Sequence, residues 1–239
     1  MRPLRHSLLV VATIALVLAH VLPALPQARQ PFPEDAVRQL IKAALLQYFD
    51  PASVFEITLS GTTLSGEILV IETLLIEGTP AVLRGFRGEV VAQFSDLQLD
   101  MANLINQQLK AARVGKATLV ARSTARDVQE ALTRVSGNIL GPTVKFQTGQ
   151  FEIAATIKRR EQLYPAQARG NLLVEQGQRV RIVITQAQVF GNDVPLGLIE
   201  SELAKLNPVL DLSKWPVDVR IQRLVLHNDR IELLATGGR

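Results

Sequence analysis

Between residues 34 and 48 the apolar residues fall at helical spacing. They are Val37, Leu40, Ile41, Ala44, Leu45 and Tyr48. Positions with this spacing share one face of an α-helix. Glu34 and Asp35 precede them, where acidic side chains favour the positive end of the helix dipole, and Pro51 follows. The pattern predicts an amphipathic helix that packs its apolar face on a sheet.

From Ser53 the apolar spacing changes to that of a strand. Phe55, Ile57 and Leu59 alternate with other residues, as expected for a strand with one buried face. We predict turns at Ser60-Gly61 and Ser65-Gly66, because glycine and serine commonly break strands. This segment therefore predicts the start of a strand meander.

The stretch Ile68 to Ile76 is apolar at odd and at even positions. An antiparallel strand usually has one core face and one wet face, so this pattern predicts a strand covered on both sides. A helix on one side with a lipid-filled cavity or a second sheet on the other would provide the cover. Plain burial in a two-layer core explains the pattern equally well.

Three further amphipathic stretches predict short helices between groups of strands. One covers Asp100 to Leu109, one begins at a capping box formed by Thr124 and Asp127, and one lies between Pro195 and Pro208. Strands are predicted around residues 144–157, 170–175, 180–190 and 217–235, the last with a hairpin turn at Asn228-Asp229. Strand groups separated by single helices predict an α+β fold with curved antiparallel sheets.

The first thirty residues resemble an export signal. Arg2 and Arg5 form a positive start, and Ser7 to Leu22 is an apolar run of the length of a signal-peptide core. We interpret residues 1–30 as a signal peptide with its linker, or as an uncleaved N-terminal anchor. Residues 31–239 are predicted to form a single domain in an extracytoplasmic compartment, the periplasm or cell envelope.

Composition favours an aliphatic interior over a nucleic-acid surface. Hydrophobic residues make up 47% of the chain and aromatic residues only 5%, while 26 basic residues nearly balance 22 acidic ones. A nucleic-acid binder would cluster its basic residues on one face, so we predict no nucleic-acid partner. The densest basic run is Lys158, Arg159 and Arg160. It is either a solvated turn or a contact for anionic lipid head groups.

The sequence offers few residues for catalysis or metal binding. It has no cysteine, and of its three histidines only His227 lies outside the predicted export segment. A Ser-His-Asp centre would need His227 as its base, beside a predicted turn, and zinc or iron sites normally need two or more His or Cys ligands. The carboxylates Asp96 and Asp100 sit in an alternating strand context. We therefore predict no catalytic residue, no metal site and no cofactor.

Four segments near the C-terminus carry a resemblance to known proteins. They are Val189 to Pro195, Leu210-Asp211-Leu212, Trp215-Pro216-Val217 and Leu233 to Gly237. In these segments the sequence resembles the LmeA-like family of exported phospholipid-binding proteins. The order of helix and Ser/Gly-punctuated strands agrees in the N-terminal half, so the likeness covers roughly residues 35–237. It implies curved sheets wrapped around amphipathic helices, as in tubular lipid-binding domains, and an extracytoplasmic phospholipid partner.

Amphipathicity alone nominates residues for lipid contact. The candidates for an aliphatic lining are Leu104, Ile105, Leu109, Val128, Leu132, Phe146, Phe190 and Trp215. Ordinary core packing explains each of these residues as well. Lys158, Arg159 and Arg160 are the candidates for head-group contact at a membrane surface.

The sequence leaves two other functions open. An envelope scaffold would have a filled core and an exposed apolar patch for a protein partner. A carboxylate-dependent hydrolase would require a close acidic pair such as Asp96 and Asp100.

Overall fold

The computed structural model describes residues 30–83, 86–135, 138–197, 204 and 207–238. The predicted export segment lies outside these ranges. Most described residues belong to antiparallel strands. In chain order the strands are β1 (Gln30–Pro31), β2 (Phe55–Ser65), β3 (Ile68–Leu83), β4 (Phe86–Asp100), β5 (Ala111–Arg113), β6 (Lys116–Thr124), β7 (Ile139–Gln147), β8 (Gln150–Arg159), β9 (Gln162–Glu175), β10 (Arg179–Val189), β11 (Asn192–Asp193), β12 (Leu210–Asp211), β13 (Val219–Leu226) and β14 (Arg230–Gly237).

The strands form two sheets. The first sheet has the order β1-β2-β3-β4-β6-β14-β13, and β5 pairs with β4. The second has the order β11-β10-β9-β8-β7, and β12 pairs with β10. The fold is thus mostly β, with the few helices that an α+β class requires. The predicted hairpin turn at Asn228-Asp229 is confirmed between β13 and β14.

The helices are α1 (Glu34–Leu45), α2 (Met101–Ile105), α3 (Ala125–Val135) and a 3₁₀ turn at Leu212–Lys214. The capping box of α3 is confirmed: Thr124 N donates to Asp127 Oδ2 at 2.9 Å, and Asp127 N to Thr124 Oγ1 at 3.2 Å. The helix predicted between Pro195 and Pro208 falls largely outside the described residues. No helix within the described ranges is long and apolar enough to span a bilayer.

Helix α2 is shorter than predicted. Asp100 starts it by accepting a hydrogen bond from Asn103 N at 2.8 Å. Gln107 has a φ of 60°, and a left-handed residue just past the last turn ends a helix. Leu109 therefore lies beyond α2, in the segment before β5.

A row of kinks crosses β2, β3 and β4 in the first sheet. The register places Gly61, Glu72 and Asp96 side by side, and Gly61 and Asp96 have φ values of 67° and 51°. Gly61 thus lies inside β2, so the turn predicted at Ser60-Gly61 was wrong, whereas the turn at Ser65-Gly66 is confirmed. A left-handed residue lets a strand change which alternate side chains point inward.

The kinks account for the two-sided apolar pattern of β3. Before Glu72 the buried residues are Leu69 and Ile71, and after it they are Leu74 and Ile76. All four belong to one core cluster. The pattern therefore combines two stretches of a single dry face whose register changes at the kink.

Strand β9 begins earlier than the predicted segment 170–175. Its first half alternates small and polar residues, with Ala166 and Ala168 half-buried on the inner face. Because alanine and polar residues are weak strand signals, the pattern of apolar residues predicted too short a strand.

Gly170 of β9 sits where backbones and a ring crowd together. A Cβ there would lie 2.3 Å from Val183 O and 2.7 Å from Phe151 Cζ. Gly170→Ala should therefore destabilise the fold by about 1–3 kcal/mol, measured by urea unfolding. Gly197→Ala is the matched control, because its Cβ would meet nothing within 4 Å. Equal unfolding midpoints for the two variants would contradict this packing.

Candidate functional site

The main candidate site is a cavity of about 240 Å³ between the two sheets. The first sheet supplies inward-facing residues such as Val90, Ala121 and Leu233, and the second supplies Phe151 and Leu172. Further lining side chains are Leu83, Leu119, Val144, Phe146, Ile153, Val180, Ile182, Leu224 and Ile231. An apolar ligand would bind in a cavity with this lining because binding removes apolar surface from water.

A smaller cavity of about 60 Å³ continues from the main one. Ile41 and Leu45 of α1 line it, together with inward-facing residues of β3, β4 and β6. The two cavities share the lining residues Phe49, Val90, Leu119 and Trp215. They are therefore neighbouring parts of one apolar interior.

Trp215 lies at the junction of the two cavities. The 3₁₀ turn before it is capped by Asp211, and Trp215 N donates to Leu212 O at 3.1 Å. Its ring meets that of Phe49 edge to face, with centroids 6.0 Å apart. Trp215 is the sole tryptophan of the chain, so its fluorescence reports directly on this interior.

Polar residues contribute to the main cavity at one edge, where β4 and β6 run towards α3. They are Arg87, Glu89, Arg122 and Ser123. Ser123 Oγ donates to Arg87 O at 3.1 Å, and the register pairs Glu89 with Arg122. This edge provides a polar rim beside an otherwise apolar wall.

The residues that the sequence offered for catalysis, Asp96, Asp100 and His227, line neither cavity. Asp96 occupies the kink in β4, and Asp100 caps α2. His227 donates its backbone N–H to Arg230 O at 2.8 Å in the β13–β14 hairpin. Within the described ranges no group of three or more His, Asp or Glu residues is placed to hold a metal ion.

Two carboxyl groups beside cavity-lining residues in the sequence, Glu232 on β14 and Asp211 on β12, have lowered pKa values. Hydrogen bonding from Arg122 lowers the pKa of Glu232, and the charges of Arg122, Arg223 and Arg230 act in the same direction. Arg122 Nε lies 3.1 Å from Glu232 Oε2, and an Arg223 nitrogen lies 3.0 Å from Oε1. Hydrogen bonding by Ser213 likewise lowers the pKa of Asp211.

Glu232→Gln should lower stability at neutral pH by less than about 1 kcal/mol, because the ion pairs are partly exposed. A carboxyl whose folded-state pKa is depressed stabilises the fold above its unfolded pKa, and this contribution is lost as the pH falls through the folded pKa. The difference between wild type and variant in urea midpoint should therefore disappear in acid. An equal difference at pH 7 and pH 3 would contradict the assignment.

The sequence-nominated lining residues occupy three environments. Val128, Phe146 and Trp215 line the main cavity, and Leu109 and Trp215 line the smaller one. Leu132 packs against the core cluster of the second sheet, and Leu104 is fully buried in the other core. Ile105 is exposed, as is Phe190, whose ring packs against that of Tyr164.

The basic run lies at the turn between β8 and β9. Its exposed side chains include Lys158 and Arg160, and Arg160 has a φ of 55°. The backbone of Arg159 ends β8 and pairs with Gln162. The turn between strands is confirmed, and the contact with lipid head groups stays a prediction.

Sequence reasoning missed most of the cavity wall. Phe49 was absent from the predicted set, although it follows the helical face of α1 directly. Leu172, Val180 and Ile182 were predicted as strand residues but not as lining. Their alternation shows which face is dry, but it does not show whether that face meets side chains or a hollow.

Comparison with known proteins agrees with this geometry. No curated protein and no solved structure matches the chain significantly. A family model described as LmeA-like phospholipid-binding matches residues 31–236. This match spans nearly the whole chain and includes both cavity-forming sheets. The chain therefore belongs to the LmeA-like phospholipid-binding family.

Proposed function

We propose that this protein is an exported, non-enzymatic phospholipid-binding protein that holds acyl chains in the cavity between its sheets. The observation that carries the proposal is the cavity of about 240 Å³ with an almost wholly apolar wall. Membership of a phospholipid-binding family supports the choice of ligand. Its role would be lipid maintenance or transfer in a cell envelope.

The energetics suit an acyl chain. Each methylene moved from water into an apolar interior contributes about 0.8 kcal/mol. The two cavities together reach the lower end of the volume range of ligand pockets, about 300 Å³. Since fixed polar groups are confined to one rim, the phosphate head group would remain at that rim or in solvent.

The helices take part in the proposed enclosure. Ile41 and Leu45 place α1 against the smaller cavity, and Val128 places α3 against the main one. This arrangement supports the proposal that the curved sheets wrap the amphipathic helices and that both contribute to the lipid-binding wall. Residues 31–239 would act as one lipid-binding domain, delivered outside the cytoplasm by the signal at residues 1–30.

Trp215 provides a direct test of lipid entry. Phospholipid carrying a bromine or nitroxide quencher in its acyl chain should quench Trp215 fluorescence, and unlabelled phospholipid should reverse the quenching by competition. Quenchers act at short range, so the effect requires the chain to reach the junction of the two cavities. Unchanged fluorescence together with no lipid detected by mass spectrometry of the purified protein would overturn the proposal.

A further inference from the structure

One end of the second sheet concentrates exposed apolar side chains. The exposed fractions there are 42% for Leu140, 38% for Ile157, 54% for Leu163 and 59% for Phe190. Single exposed apolar residues are ordinary on soluble proteins, whereas a group in one place indicates an interaction surface. We call the region formed by residues 138–141, 157–164 and 190 the distal end.

The strand register brings these residues together. Ile157 pairs with Tyr164, and Lys158 pairs with Leu163. Leu140 pairs with Thr156 on the neighbouring strand. Phe190 joins them because its N–H donates to Pro165 O at 2.9 Å and its ring lies 5.6 Å from that of Tyr164. The group therefore gathers at one end of the sheet, with Ile157 on the inward face and Leu163 on the outward face.

The opposite end of the same sheet is attached to the first sheet. Gly149 N donates to Leu226 O at 3.3 Å, and Ile221 N donates to Gly177 O at 2.7 Å. Gly149 and Gly177 lie in the turns that join β7 to β8 and β9 to β10. These hairpins therefore run away from the first sheet, and the β8–β9 turn lies at the distal end.

Charge at the distal end identifies its partner. Lys158 and Arg160 are exposed there beside the apolar group. The sequence of the distal end contains one further basic residue, Arg159, and one acidic residue, Glu161. Basic residues next to apolar and aromatic side chains complement the anionic head groups and the outer acyl region of a bilayer. We propose that the distal end docks this protein on the surface of an anionic phospholipid membrane.

The docking surface is continuous with the cavity. Alternate residues of a strand share a face, so the inward row of β8 runs from Ile153 in the cavity wall through Ala155 to Ile157 at the distal end. Ile153 and Ile157 are separated by about 13 Å along the strand. This row offers a lipid a short apolar route between membrane and cavity. Only this route rests on the function proposed above, because docking itself needs no cavity.

Vesicle sedimentation tests the proposal. The protein should bind vesicles of phosphatidylcholine containing phosphatidylglycerol more tightly than pure phosphatidylcholine. Lys158→Gln with Arg160→Gln should weaken this binding about fivefold for each charge removed. Lys110→Gln with Lys145→Gln removes the same charge from exposed positions elsewhere and should leave binding nearly unchanged.

A second pair of variants separates apolar docking from simple charge attraction. Leu163 and Leu173 both lie on the outward face of β9, with exposed fractions of 54% and 50%. Leu163→Asn should weaken vesicle binding several-fold, whereas Leu173→Asn should not. Matching melting temperatures would show that both variants are folded. Equal losses in the two members of either pair, or no vesicle binding by the wild type, would overturn docking by the distal end and favour a protein partner.

The outcome for docking is distinguishable from the outcome for the cavity. Uptake of a quencher-labelled, short-chain phospholipid presented below its micelle concentration needs no membrane surface. Variants of the distal end should therefore keep this uptake while losing vesicle binding. A variant whose cavity is filled by a larger side chain should lose this uptake and keep vesicle binding.

Discussion

Ala121→Trp should remove most lipid from the purified protein while leaving the fold intact. Ala121 faces the main cavity from β6, between Val90 on β4 and Leu233 on β14. An indole at this position would occupy the space proposed for the acyl chain. Inserting a large side chain into a close-packed core normally costs about 1–3 kcal/mol. Because the ring would enter an existing cavity, we expect its cost in stability to fall at the lower end of that range.

Mass spectrometry of solvent extracts measures this result. We expect phospholipid to fall at least tenfold relative to wild type, and lipid uptake in solution to weaken to the same extent. Ala112→Trp is the matched control, because Ala112 is exposed on β5 and lines neither cavity. A folded Ala121→Trp protein that retains wild-type lipid content would place the lipid elsewhere and contradict the proposed site.

Local signals in the sequence were sufficient to predict individual elements. The helical spacing from Val37 to Leu45 predicts α1, and the Thr124–Asp127 pair predicts the start of α3, because both depend on residues within a few turns. The same locality explains the failure at Gly61. A glycine after serine is typical of a turn, and only the neighbouring strand shows that β2 continues through it.

The cavity depends on information that no single segment contains. Its walls come from β4, β6, β13 and β14 on one side and from β7 to β10 on the other. Leu104 and Phe146 look equally suitable in sequence, yet one is fully buried in packed core and the other lines the cavity. Periodicity identifies the dry face of each strand, whereas the gap between two dry faces is set by tertiary packing.

The cluster at the distal end combines local and tertiary information in another way. Lys158 to Arg160 was visible as a basic run, and Phe190 was visible as an aromatic residue near a predicted strand end. Their proximity follows from the pairing of β8, β9 and β10. Sequence reasoning therefore assigned Phe190 to a lipid cavity, whereas the structure places it on the surface, against Tyr164.

Ile41→Ala should lower the free energy of unfolding by about 2–5 kcal/mol, the usual cost of truncating a buried isoleucine. Ile41 is fully buried on the inner face of α1 and lines the smaller cavity. For a chain of this size the loss corresponds to a fall in melting temperature of about 4–20 °C. Leu46→Ala, just beyond the same helix, is the control, because Leu46 is 42% exposed.

The same variant tests whether lipid reaches the smaller cavity. Truncating Ile41 adds space to the smaller cavity, which Trp215 also lines. A ligand that binds only the folded state raises the melting temperature, and the rise is larger when the ligand binds more tightly. If an acyl chain enters this space, added phospholipid should stabilise Ile41→Ala more than wild type and narrow the difference in melting temperature. If the difference is unchanged by lipid, the acyl chain ends in the main cavity, and the contact of α1 with the smaller cavity serves only the packing of the fold.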